Sequence, residues 1–202
     1  MTTHRTESKW EERYAQDWAR RLFTPRLRED LEQIPIPKNL PRIDWDSGKG
    51  LYIYGPAGTG KTVLSAQILF MEKRQQYLEG ASNIGDEWPF IYVPDLFAQL
   101  KNTFSANHSG EPPGPGDTEY GILNRLKSAP LLVLDEFGVS GKPSEWVLQV
   151  LYMLINHRYE YLKPTIMTSN YSLRDLAREL GDDRVTSRIE RMCRVVQKGP
   201  WH

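Results

Sequence analysis

Four groups of residues in this chain have the types and spacing of phosphate chemistry. The first is Gly55-Pro56-Ala57-Gly58-Thr59-Gly60-Lys61-Thr62, directly after the apolar run Leu51-Tyr52-Ile53-Tyr54. It has the form G-x-x-x-x-G-K-[ST]. Its glycines permit backbone conformations closed to residues with a Cβ, so that successive N–H groups turn inward onto phosphate oxygens. A helix starting near Lys61 adds its positive end. In that frame Lys61 reaches the β- and γ-phosphates and the Thr62 hydroxyl binds Mg²⁺. A bound nucleotide is the expectation. The loop alone would serve a kinase, a GTPase or a motor equally.

The second group is Asp135-Glu136, at the end of the apolar run Leu131-Leu132-Val133-Leu134. Asp135 is placed to hold Mg²⁺, directly or through water, and Glu136 to act as general base on the attacking water. An apolar strand ending in two acids is weak by itself, since a solvated strand end looks the same. Downstream of a phosphate loop it becomes strong. The third group is Thr168-Ser169-Asn170, closing the run from Thr165. The Asn170 amide both donates and accepts, which suits it to orient a lytic water; the competing reading is a turn-forming asparagine. The fourth is Arg184-Val185-Thr186-Ser187-Arg188. A guanidinium stabilises charge spreading over a transferred phosphoryl group, and when a neighbouring subunit supplies it, hydrolysis depends on assembly. Arg188 is favoured, then Arg184, then Arg191; the competing reading is a surface helix of arginines.

These residues need a scaffold of strands alternating with helices. Strands are expected at 51–54, 89–93, 131–134, 165–168 and 194–197. Helices are expected at 60–78, ending near Gly80, at 95–104, 119–128, 144–161 and 183–192. A further helix opens at Ser172 with Asp175 as a capping box and stops near Gly181. The pattern implies a parallel sheet covered on both faces. Residues 1–34 are charged and helix-compatible. Trp10, Tyr14, Trp18 and Leu22 recur every four residues on one face, which either packs on the domain or docks a partner protein. Residues 35–50 form a proline-rich linker, and residues 105–118 a flexible surface loop by composition.

Composition sets outer limits. At 202 residues one ordinary domain with a real core is expected. Lys+Arg and Asp+Glu are equal at 26 each, so nucleic-acid binding would need a local patch. The single cysteine, Cys193, excludes an internal disulfide and a cysteine zinc site, and reads as a small buried hydrophobe. No apolar run reaches membrane-spanning length and the N-terminus lacks a signal peptide's apolar region, so a soluble, cytoplasmic protein without membrane partners is expected.

The loop GPAGTGKT, the strand LLVLDEFG, the stretch WVLQVLYMLINHRYEYLKPTIMTSN and the tail DDRVTSRI together resemble AAA+ ATPases of the bacterial and phage replicative helicase-loader branch. That branch includes the similar ATPase subunits of one insertion-sequence family. The resemblance runs from about residue 48 to 197, and INHRYEYLKPTIMTSN is its most branch-specific part. It implies a five-stranded parallel AAA+ core over 48–202 with little or no C-terminal lid. Residues 1–47 become an N-terminal helical extension and linker. It implies ATP and Mg²⁺, Asn170 as sensor 1, Arg188 as an arginine finger acting in trans, and self-association through the ATP site. Its partners would be a hexameric replicative DNA helicase and single-stranded DNA. Loaders carry a larger N-terminal helicase-binding domain than residues 1–47 provide, which reduces the docking element here to the Trp10, Tyr14 and Trp18 helix. Many loaders have Asp-Asp where this chain has Asp135-Glu136, and a glutamate favours hydrolysis. Lys101, Phe104, Arg125 and Lys127 are the candidate DNA contacts, since cations and aromatics suit single strands. The leading expectation is an ATP-driven helicase loader. The alternatives are a transposition ATPase that assembles on DNA and recruits a transposase, and a nucleotide-gated binding module with little hydrolysis. A small-molecule kinase fits least.

Overall fold

A computed structural model describes residues 17–78, 88–106, 114, 118–138 and 141–199. Its elements, in chain order, are α1 (Pro25–Gln33), β1 (Gly50–Tyr54), α2 (Lys61–Leu78), β2 (Phe90–Tyr92), α3 (Val93–Ala106), α4 (Glu119–Ser128), β3 (Leu132–Asp135), α5 (Glu145–Glu160), β4 (Thr165–Ser169), α6 (Leu173–Leu180), α7 (Arg184–Met192) and β5 (Cys193–Gln197). Residues 17–22 are also helical. The sheet order is β2-β3-β4-β1-β5, and every neighbouring pair is parallel. β4 therefore lies between the loop strand β1 and the acid strand β3. All five strands end at one edge of the sheet, and there the loop, the acid pair and Asn170 emerge.

The strands read as continuous apolar runs because both faces are covered. Alternate residues divide between two cores. Tyr52, Leu132, Leu134 and Met167 join the core formed with α3, α4, α5, α6 and α7. Leu51, Ile53, Leu131, Val133 and Ile166 join the core formed with α2, α1 and residues 17–22. The helices start where sequence chemistry says they should. Thr24, Thr118, Ser144 and Ser172 each accept a backbone N–H as N-caps, and Gly181 ends α6 in the left-handed region at φ 66°. The strand expected at 89–93 is shorter than its apolar run. α3 begins at Val93 and takes Pro94 into its first turn, where a missing N–H breaks no helical bond.

Residues 17–34 are built into the domain. Trp18 is 7% exposed and packs edge-on to Phe23 and against Phe70, and Phe23 meets Phe90. The Trp18 ring thus belongs to the domain's own core, whereas Trp10 and Tyr14 lie outside the described residues. Most of the 105–118 stretch and Gly80 also lie outside them. The linker, irregular as expected, is clamped to α2. The buried Glu72 carboxylate accepts from Arg42 Nε (2.9 Å), Ile43 N (3.3 Å) and Trp45 Nε1 (2.8 Å). At the opposite edge of the sheet from the loop, Arg158 is fully buried with no carboxylate partner among the described residues. It donates to the carbonyls of Leu126, Ala129 and Pro164 at 2.7, 2.9 and 2.7 Å and to Thr165 Oγ1 at 2.8 Å. Burial pushes its pKa down to about 9.

Candidate functional site

β1 delivers the loop at Gly55. A Cβ at Gly55 would stand 2.1 Å from the Lys198 carbonyl oxygen, so only glycine lets the loop pass β5 so closely. Gly58 and Gly60 sit at φ 75° and 76°, conformations that glycine adopts without strain. The loop then runs into α2, where Leu64 N donates to Gly60 O at 3.0 Å. Lys61 is the first helical residue and is nearly buried. Its Nζ donates to Gly55 O, Pro56 O and Asn170 Oδ1, each at 2.8 Å. Burial lowers the Lys61 pKa, and the nearby Asp135 and Glu136 act against that shift.

Asp135 ends β3 and is 4% exposed. One carboxylate oxygen accepts from the Thr62 hydroxyl (3.0 Å) and the other from the Thr168 hydroxyl (2.6 Å). Burial raises its pKa, while the two hydroxyl bonds hold it back. Glu136 follows in the left-handed region at φ 54°, a strained conformation for a residue with a side chain. Its N–H donates to Thr168 Oγ1 (3.0 Å), and the next N–H, of Phe137, donates to Thr168 O (2.6 Å). These bonds turn the chain and aim the Glu136 carboxylate along the sheet edge, where Oε2 accepts from the Tyr92 hydroxyl (2.8 Å). That bond raises the Tyr92 pKa. A cleft of about 540 Å³ opens beside Thr62 and Asp135, walled by Phe23, Leu27, Phe90, Tyr92 and Leu96. Another, of about 610 Å³, lies between α1 and α2 at Pro25, Arg28, Gln67 and Phe70 and holds none of the motif residues.

Loop residues 55–62, Asp135, Glu136 and Asn170 are therefore brought together, as their spacing predicts. Among the described residues no group of three or more His, Cys, Asp or Glu could hold a metal. The donor set instead suits Mg²⁺ shared with phosphate: one hydroxyl and one carboxylate side by side, at the mouth of a loop whose N–H groups can donate to an anion. The sequence groups Thr168 with Asn170 but gives it no role of its own, and it does not single out Tyr92. Both follow from register, because Tyr92 pairs with Asp135 across β2 and β3, and Thr168 follows Met167, the partner of Leu134.

Arg184 and Arg188 stand apart from this cluster. Arg188 makes its polar contacts to α5 and α7: Nε to Asn156 Oδ1, one Nη to Tyr152 OH (3.0 Å) and the other to Arg184 O (2.9 Å). Arg184 forms a forked ion pair with Asp182. Arg191 is exposed on α7. Of the candidate DNA contacts, Lys101 and Arg125 are exposed on α3 and α4, Lys127 is half-buried at the end of α4, and the Phe104 side chain lies outside the described residues.

A parallel sheet of order β2-β3-β4-β1-β5, with the phosphate loop after β1, the acid pair after β3 and a polar residue after β4, defines an α/β P-loop AAA+ core. The comparisons find it similar to helicase loaders. Over 126 residues the chain is 33% identical to the replicative helicase loader DnaI of Bacillus subtilis (strain 168), a match that takes in 62% of this chain and 34% of that protein. A solved DnaI structure aligns at 26% identity and TM-score 0.63, over 88% of this chain and 96% of that one. The DnaC helicase loader aligns at 27% identity and TM-score 0.58, over 86% of each chain. No family model matches the chain. The chain spans between a third and a half of the length of the curated relatives it matches. No helix among the described residues is long and apolar enough to cross a membrane.

Proposed function

We propose that this chain is an Mg²⁺-dependent ATPase that loads a hexameric replicative DNA helicase onto single-stranded DNA during replication. The observation that carries the proposal is the joined set Lys61–Asn170 and Thr62–Asp135–Thr168–Glu136 at the carboxyl edge of a loader-type core. The loop N–H groups hold the β- and γ-phosphates. Lys61 exchanges its contacts with Gly55 O, Pro56 O and Asn170 for phosphate oxygens. Thr62 and Asp135 hold Mg²⁺, which when bound neutralises charge on the phosphates. Asn170, released by Lys61, orients the lytic water, and Glu136 accepts its proton. Arg188 acts on the nucleotide of a neighbouring copy, so that ATP gates self-association and hydrolysis reverses it. Residues 48–202 form the ATPase domain, and residues 1–47 carry the contact to the helicase through the Trp10 and Tyr14 region. Lys101, Phe104, Arg125 and Lys127 contribute to single-strand binding.

Steady-state ATP hydrolysis, measured alone and with single- or double-stranded DNA, tests the enzymatic half; Lys61→Ala and Glu136→Gln should each abolish it. Affinity capture from the source cell tests the partner. Recovery of a hexameric helicase supports the loader. Recovery of a transposase, with stimulation by duplex DNA, would replace it with the transposition reading. Tight ATP binding without turnover under every condition would leave a nucleotide-gated binding module.

A further inference from the structure

We infer that Tyr152 and Asn156 of α5 are positioning residues for Arg188, fixing its guanidinium in the attitude from which it meets a neighbour's nucleotide. The inference rests on the reading of Arg188 as the residue supplied in trans. Tyr152 and Asn156 are four residues apart and so share one face of α5; Arg184 and Arg188 likewise share one face of α7. The two faces meet. Arg188 Nε donates to Asn156 Oδ1, one Nη donates to the Tyr152 hydroxyl at 3.0 Å, and the guanidinium carbon lies 4.7 Å from the Tyr152 ring centroid. The other Nη donates to the Arg184 carbonyl at 2.9 Å.

These contacts use three of the five N–H groups and leave the rest of the fork for an incoming anion. Every acceptor is uncharged, so no carboxylate is bonded to the Arg188 guanidinium, and Asp182 acts on it only through space. Arg184 shares the same ring, at 5.1 Å, but is tied to the Asp182 carboxylate at 2.6 and 2.8 Å. Its charge is met within its own protomer. The partners thus separate two arginines that one turn of helix leaves equivalent. A long side chain held at several points also arrives at the reacting phosphate already oriented, which is where a rate advantage originates.

The test is steady-state ATP hydrolysis by the full chain at assembling concentrations with single-stranded DNA present. Asn156→Ala, Tyr152→Ala and Tyr152→Phe are compared alone and in an Arg188→Ala background. Asn156→Ala and Tyr152→Ala should each lower kcat about ten-fold, and Tyr152→Phe, which keeps the ring, about three-fold. Affinity for a fluorescent ATP analogue and the melting temperature should stay near wild type. None of the three should cost more once Arg188 is gone, since they act only through it. Should Tyr152→Ala unfold, Asn156→Ala and Tyr152→Phe carry the test. Wild-type turnover in these variants, with Arg188→Ala crippled, would overturn the positioning role and leave the reading of Arg188 standing. Losses undiminished in the Arg188→Ala background would mean the two residues act through packing. Normal turnover by Arg188→Ala itself would sink both.

Discussion

Replacing Asp135 by asparagine separates what this carboxylate costs the fold from what it does for the site. The side chain is 4% exposed, and burial raises its pKa above 3.8 despite the Thr62 and Thr168 hydroxyl bonds. Folded Asp135 therefore binds a proton more readily than unfolded Asp135. Stability falls as pH rises from the unfolded value through the higher folded one, and above that window the buried charge is a standing cost. Asparagine keeps the shape. Thr168 goes on donating to Oδ1, and the Thr62 hydroxyl rotates to accept from the new amide. Without nucleotide and with EDTA at neutral pH, Asp135→Asn should be more stable by about 1 kcal/mol, a rise in melting temperature of about 2–4 °C for a chain of this size. The gap should narrow as pH falls into the titration window. Adding ATP with Mg²⁺ should reverse the order: wild type gains stability in proportion to ligand binding, and the variant gains little. Differential scanning fluorimetry in both buffers reads the outcome. A variant that melts below wild type in EDTA would refute the reasoning, because the carboxylate would then be serving the fold rather than the metal.

Two further changes probe residues outside the motifs. Tyr92→Phe removes the hydroxyl bonded to Glu136 and should raise unassembled ATP turnover about five-fold, the scale of one lost hydrogen bond; an unchanged rate would show that the bond does not restrain the base. Arg158→Leu strips partners from the carbonyls of Leu126, Ala129 and Pro164 and should destabilise the fold by roughly 4 kcal/mol or more, seen as a drop of about 10 °C or more; a shift of only a degree or two would mean that water satisfies those groups.

The phosphate loop, Asp135 and Glu136 were legible because each closes a contiguous apolar run, and Asn170 because it closes the short strand pattern Thr165–Ser169, so the strand-end position can be read without knowing its neighbours. The two-sided sheet was legible for the same reason, in unbroken runs such as Leu131–Leu134. Thr168 was not, since its role depends on β4 lying beside β3 in one particular register. Tyr92 is the same case across β2 and β3. Arg158 reads in sequence as a basic residue in the last turn of an apolar helix, which normally faces water. Its burial depends on carbonyls contributed by α4 and by Pro164, far away in sequence. Glu72 reads as part of a charged helix face, yet it anchors the linker through the Trp45 indole. The spacing of Trp18 admitted both a core position and a docking position, and the packing against Phe23 and Phe70 assigns it to the core.

The site is proposed to be complete only between two copies, and a mixing experiment tests this most directly. Glu136→Gln keeps its arginines but loses the base, while Arg188→Ala keeps the base but loses the finger. Each alone should be nearly inactive. Mixed in equal amounts, a random assembly pairs an intact base with an intact finger at roughly a quarter of its junctions, so ATP hydrolysis should recover to roughly a quarter of the wild-type rate. A mixture as inactive as its components would contradict a site shared between neighbours.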